Sequence, residues 1–211
     1  MNSEIIETYL SRPPRKNSAT VSLIVVAFVF LFSVTYWGNS FGLRERLNVD
    51  RDAVFQFHEY WRLFTGILVH ADMNHFLSNA LGLFLFGYLL NGYFGPGVYP
   101  VGVFALGTLV NFVSIATYPA GTRLVGASGI VYLMAGFWLT LFVSTERRFS
   151  IPKRLLRSIG FALVLLISSS FDPAISHRTH AIGFFTGVIY GLIYFFKAKE
   201  RIRAAEVTAF E

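Results

Sequence analysis

Residues 124–138 read LVGASGIVYLMAGFW. A small hydroxyl, Ser128, stands between Gly126 and Gly129 at the head of a long apolar run. The run predicts a buried or membrane-spanning helix over about 127–145. Ser128 at its start is either a packing residue or a nucleophile held inside an apolar layer. The rest of the chain bears on which.

The 211 residues are 54% hydrophobic and 14% charged. A soluble domain carries roughly 25% charged residues. Charge depletion with several long apolar runs predicts an all-α polytopic membrane protein. The net charge of +6 is not gathered in one patch, so nucleic acid is not expected as a partner. The chain has no cysteine, which excludes disulfides and thiolate metal sites. A polar stretch with Arg12, Arg15 and Lys16 precedes the first apolar run, and no A-x-A site follows it. That run is expected to be a retained helix rather than a cleaved signal.

Six spans are expected, at 20–38, 75–95, 98–118, 127–145, 158–171 and 179–196. The fifth apolar run is short and borrows from PKRLLRSIG, whose cations can snorkel. The expected organisation is an N-terminal tail at 1–19, one helical domain at 20–196 and a C-terminal tail at 197–211. Lys and Arg collect in the N-terminal tail, at residues 147–157 and in the C-terminal tail. Six crossings put these three segments on one side, predicted to be cytoplasmic. The first external loop, about 39–74, contains VFQFHEYWRLFTGILV. Its mixture of aromatics and charges suits a segment lying in the interface, and also a loop packed on the bundle.

Polar side chains at membrane depth are costly and point to function by default. HADMNHFLSNALGLF places His70, Asn74, His75 and Asn79 at the start of the second span. His75 and Asn79 are four apart and share a helix face. ISHRTHAIGFFTGVIYG places His177 and His180 at the start of the sixth. Ser128, the His75–Asn79 pair and His180 all fall at the external ends of even-numbered spans. Each has a structural reading too: Ser and Asn join transmembrane helices, and a terminal His can be interfacial. Four histidines could hold a metal, but no HExxH or other recognised ligand spacing is present and no carboxylate lies within a span, so none is expected. No cofactor is expected either.

A serine hydroxyl needs a base to accept its proton. A helix start supplies unpaired N–H groups and a positive dipole end for a developing oxyanion. Gly126 and Gly129 would leave the substrate's approach open. The G-x-S-x-G elbow of soluble hydrolases is not met, because Ile130 takes its last place. His180 is the preferred base. Gly183 and Gly187 follow it at four-residue spacing and would let the sixth span press against the fourth. His177 lies nearer the loop and is expected to be solvated. Arg178 sets a fixed cation two residues from His180.

Trp61-Arg62 in the first loop, HADMNHFLSN in the second span, GASGIVY in the fourth and HAIGFFTG in the sixth, in this order, resemble the rhomboid intramembrane serine proteases. The likeness covers residues 20–196. It implies a six-helix bundle with a membrane-embedded first external loop, as in the basic bacterial type, in a bacterial inner membrane. It implies Ser128 as nucleophile and His180 as general base, in a dyad without an acid. It implies an oxyanion hole from His75, Asn79 and the Ser128 amide. Gly126 matches the glycine two before the nucleophile, and Tyr132 the aromatic packed under the histidine. His70 matches a further histidine of less certain role, and Trp61 and Arg62 match structural parts of the loop. Transmembrane proteins in the bilayer would be the substrates. The alternative is an inactive rhomboid-like protein that binds membrane clients. A proton-relay transporter would call for an inverted repeat or broken-helix pair, which the sequence does not display.

Overall fold

The computed structural model describes residues 3–166 and 176–210. Strand β1 (Ser3–Glu7) leads to helix α1 (Ser18–Trp37). Short elements follow: α2 (Arg44–Leu47), β2 (Val49–Asp50), α3 (Arg51–Gln56) and α4 (Arg62–Leu68). Helix α5 (Met73–Phe94) passes through an irregular turn at Gly97–Gly102 into α6 (Val103–Ala116). Strand β3 (Arg123–Leu124) leads into α7 (Ser128–Thr145), then α8 (Ile151–Leu166), α9 (His177–Arg203) and strand β4 (Val207–Phe210). The protein is thus a helical membrane protein. Among the described residues, five segments are long and apolar enough to cross a membrane: Ser18–Trp37, Met73–Phe94, Gly97–Ala116, Ser128–Thr145 and His177–Arg203.

These match five expected spans within a few residues, except that α9 runs on to Arg203. The expected fifth span begins inside α8, which starts earlier, at Ile151. Residues 167–171 of that span lie outside the described residues.

Helix α7 is the axis of the bundle. Its sequence is apolar on every side, as befits a helix with no solvent face. It packs against α5, α6, α8 and α9. Leu133, Met134, Ala135, Phe137 and Leu141 are fully buried, in one core with Leu83, Phe86 and Leu90 of α5 and Val103 of α6. Its tightest neighbour is α9. A Cβ on Gly183 would strike the Gly129 carbonyl, and one on Gly187 the Leu133 carbonyl. The seam is reciprocal, because a Cβ on Gly136 of α7 would strike the Phe184 carbonyl of α9. The spacing of Gly183 and Gly187 predicted this contact, but not its partner Gly136.

Two small strand pairs have no counterpart in the sequence reading. β1 pairs antiparallel with β4, setting Glu4 opposite Ala209 and Ile5 opposite Thr208. β2 pairs with β3, setting Val49 opposite Leu124 and Asp50 opposite Arg123. The first pair brings the two ends of the chain together. The turn after α7 joins them there, where Thr8 donates to Glu146 at 3.2 Å and Arg147 pairs with Glu206 at 3.0 Å. Three basic segments therefore meet at the end of the bundle opposite Ser128.

Candidate active site

A cavity of about 560 Å³ opens at the start of α7. Ser128, His180, His75, Asn79 and Gly126 line it, with Ser176, Thr179 and Asn111. The sequence-predicted polar clusters of three separate helices therefore converge on one space. Ser128 is the first residue of α7, where N–H groups have no carbonyl one turn back. Its side chain is partly accessible, whereas Asn79 and His180 are buried.

The two walls of the cavity are built differently. On one side, His180 lies flat against Tyr132, with ring centroids 4.0 Å apart and planes 13° from parallel. The glycine seam sets the height of α9 against α7 and so the height of this stack. At the head of α9, Ser176 accepts from the Thr179 amide at 3.1 Å and also meets the Tyr118 hydroxyl. This ties the helix that carries His180 to the end of α6. Arg178 points away from the cavity. It donates to the Thr117 carbonyl and lies over the Tyr118 ring at 4.7 Å. His177 is exposed, as expected.

On the other side, His70 is fully buried outside the cavity lining. The Ala127 amide donates to its Nε2 at 3.2 Å. An N–H can only donate, so Nε2 is the bare nitrogen and Nδ1 carries the proton. Nδ1 then donates to Ser33 Oγ of α1 at 3.1 Å, and Ser33 passes its own proton to the Val29 carbonyl at 2.9 Å. The His70 carbonyl accepts from Trp37 Nε1 at 2.8 Å. His70 thus anchors the residue before Ser128 to α1.

Gly126 has φ +113°, a conformation that a side chain strains. A Cβ there would come within 2.8 Å of His75 Nε2. Gly126 is thus required by the cavity, as the sequence reading expected. A Cβ on Gly129 would meet Thr179 Cγ2 at 3.1 Å and Val110 Cγ1 at 3.4 Å. Asn79 Nδ2 donates to the His75 carbonyl at 2.9 Å, which fixes the amide on the face that lines the cavity.

The first loop closes the outer side. Arg62 is buried and donates to the Glu59 carboxylate and to the Asn48 carbonyl at 3.3 Å. It is the structural part that the resemblance implied. The Trp61 ring is 54% exposed, so this residue contributes its carbonyl to the start of α4 rather than its side chain to a core. The Gly126 amide donates to the Gly66 carbonyl of α4 at 2.9 Å, and the β2–β3 pair adds a second link. Arg123 bridges Glu45 at 2.7 Å and Asp50 at 3.0 Å at the rim. Partial burial pushes the Asp50 carboxyl up, but the Ala53 amide, the Arg123 guanidinium and the Asp52 amide together hold it below its usual 3.8.

The roles of Ser33, Trp37, Tyr118 and Ser176 were not read from the sequence. Ser33 and Trp37 lie in or at the end of an apolar span and meet His70 only across the fold. Ser176 alone left a signal, a serine just before a helix start. Among the described residues no cluster of His, Asp and Glu could hold a metal ion.

The family model for the Rhomboid domain matches residues 58–197. The chain is 28% identical over 145 residues to the putative rhomboid protease YdcA of Bacillus subtilis, covering 68% of this chain and 71% of that one. It is 26% identical over 161 residues to the rhomboid protease GlpG of Haemophilus influenzae, covering 72% and 83%. It is 26% identical over 146 residues to RHOMBOID-like protein 1 of Arabidopsis thaliana, covering 69% of this chain but 37% of the plant protein.

Proposed function

The chain belongs to the rhomboid family, and from that premise we propose that it is an intramembrane serine endopeptidase. Ser128 is the nucleophile and His180 the general base. The supporting observation is the convergence of Ser128, His180, His75 and Asn79 on one cavity, with Tyr132 stacked on the imidazole.

A carbonyl of the substrate's backbone enters the cavity near Ser128. His180 takes the hydroxyl proton as Oγ bonds to the carbonyl carbon. The negative charge moves to the carbonyl oxygen, stabilised by the Ser128 amide, the Asn79 amide and the His75 ring. The tetrahedral intermediate collapses, and the C–N bond breaks as His180 gives its proton to the departing nitrogen. Water then repeats the sequence on the acyl-enzyme. Asn79 already donates one amide hydrogen to His75 and keeps a second for the oxyanion. The Tyr132 ring holds the imidazole plane in the orientation that a carboxylate provides in a triad.

The substrate is a transmembrane segment, because the cavity opens within a bundle of spanning helices. Its carbonyls are shielded while helical, so small or helix-breaking residues near the cut favour reaction. The topology proposed is six crossings, with both termini cytoplasmic in a bacterial inner membrane and the cavity facing outward. The β1–β4 pair supports an even number of crossings, and the basic segments gathered at that end support its orientation. The first loop lies at headgroup level, consistent with the exposed rings of Phe57, Tyr60 and Trp61.

The test is cleavage of a transmembrane substrate by purified protein in detergent. Ser128→Ala abolishes the cut, and His180→Ala lowers its rate by about 10²–10⁴, with both variants folded. Cleavage that survives both substitutions refutes the Ser128–His180 protease, and no cleavage by the wild type leaves a client-binding rhomboid-like protein.

A further inference from the structure

At the end of the bundle opposite the cavity, the turn between α7 and α8 gathers three cations on one ring. Arg157 Cζ lies 3.9 Å from the centroid of Phe149, Lys153 Nζ 4.9 Å and Arg148 Cζ 5.6 Å. Each is within cation–π range. Arg148 is neutralised by Glu146, through contacts of 2.7 and 2.8 Å. Lys153 and Arg157 are exposed, and no carboxylate among the described residues pairs with either. They stand four apart on α8, where like charges repel. The ring offsets part of that repulsion and holds the charges close, but a site with two uncompensated cations is made for an anion.

The adjoining face of α8 says which anion. Ile151, Leu155, Ile159 and Leu163 recur every four residues and are 37–58% exposed. They form an apolar stripe that starts in the turn carrying the cations. A ligand that satisfies both features has a negative head and a hydrocarbon tail. We propose that Lys153 and Arg157, held together over the Phe149 ring, bind the phosphate of an anionic phospholipid, whose acyl chains lie along this stripe. The inference rests on the membrane fold and is independent of the proteolytic reading.

The test is lipid retention by the full-length protein in detergent, followed by native mass spectrometry with phosphatidylglycerol or phosphatidylcholine of equal chain length. Wild type retains phosphatidylglycerol preferentially, and excess inorganic phosphate does not displace it. Lys153→Gln with Arg157→Gln weakens retention by about thirtyfold. Phe149→Leu, which keeps the bulk and removes the ring's charge attraction, weakens it less. Lys197→Gln with Lys199→Gln, in the C-terminal basic segment and away from the Phe149 ring, leaves it unchanged. Equal retention of the zwitterionic lipid overturns the proposal, as does equal loss in both double variants or displacement by phosphate. An unchanged unfolding temperature in detergent shows that the double variants are folded.

Discussion

The α7–α9 seam and the first loop flank Ser128 on opposite sides, and they are held by different forces. The seam is backbone against backbone. Gly183, Gly187 and Gly136 leave no room for a methyl group, so the helices have one height and the His180–Tyr132 stack inherits it. The loop is short helices held by ion pairs, by the several hydrogen bonds of buried Arg62, by the Gly126–Gly66 hydrogen bond and by a small apolar cluster of Val49, Val54 and Leu63. Close packing is stiff because it has no intermediate arrangement. Exposed ion pairs contribute about 0–1 kcal/mol each and yield easily. The difference is one of construction: His180 is fixed by close packing of two helices, whereas the loop beside Ser128 is held largely by polar contacts.

The comparison is broken most severely at the seam. Gly187→Leu, and more mildly Gly187→Ala, force α9 off α7, because the obstructing atom is the Leu133 carbonyl rather than a flexible side chain. The expected cost exceeds the about 1–3 kcal/mol usual for overpacking. Cleavage is lost and the unfolding temperature in detergent falls, with Ser128 and His180 both intact. A Gly187→Leu variant that cleaves normally removes the seam from the account.

Next in size is His70→Ala. It leaves the buried Ala127 amide without its acceptor, at about 1–3 kcal/mol. Because Ala127 precedes Ser128, kcat falls more than thermal stability does. Ser33→Ala removes only the partner of Nδ1 and has the smaller effect. Equal effects of the two would mean that the histidine merely fills space.

The smallest effect lies in the loop. Asp50 has its carboxyl held below 3.8 in the fold. Its anion therefore stabilises the folded loop above that value, and the contribution is lost as pH falls through the lower folded value. Protection from hydrogen exchange at residues 49–56 and 122–124, taken relative to the intrinsic rate at each pH, should fall on acidification below about pH 3.8, while that of α7 and α9 is unaffected. Asp50→Asn should remove this pH response.

The two sides also differed in how far the sequence disclosed them. Gly183 and Gly187 declare a close helix contact by spacing alone, and Ser128 stands out against its apolar run. A two-residue strand pair such as β2–β3 has no periodicity to read, and it joins segments far apart in sequence. The His70–Ser33 contact joins a loop to a span whose serine looked like any small polar residue. Tyr132 was identified by resemblance, and its stacking on His180 is the geometric content of that likeness.

The central claim is that Ser128 is made nucleophilic by His180. A fluorophosphonate, which bonds covalently to an activated serine, tests it without any choice of substrate. One adduct is expected, mapped by peptide mass spectrometry to Ser128, and it is lost in His180→Ala with the fold retained. An adduct on another residue, or undiminished labelling of Ser128 without the imidazole, would contradict it.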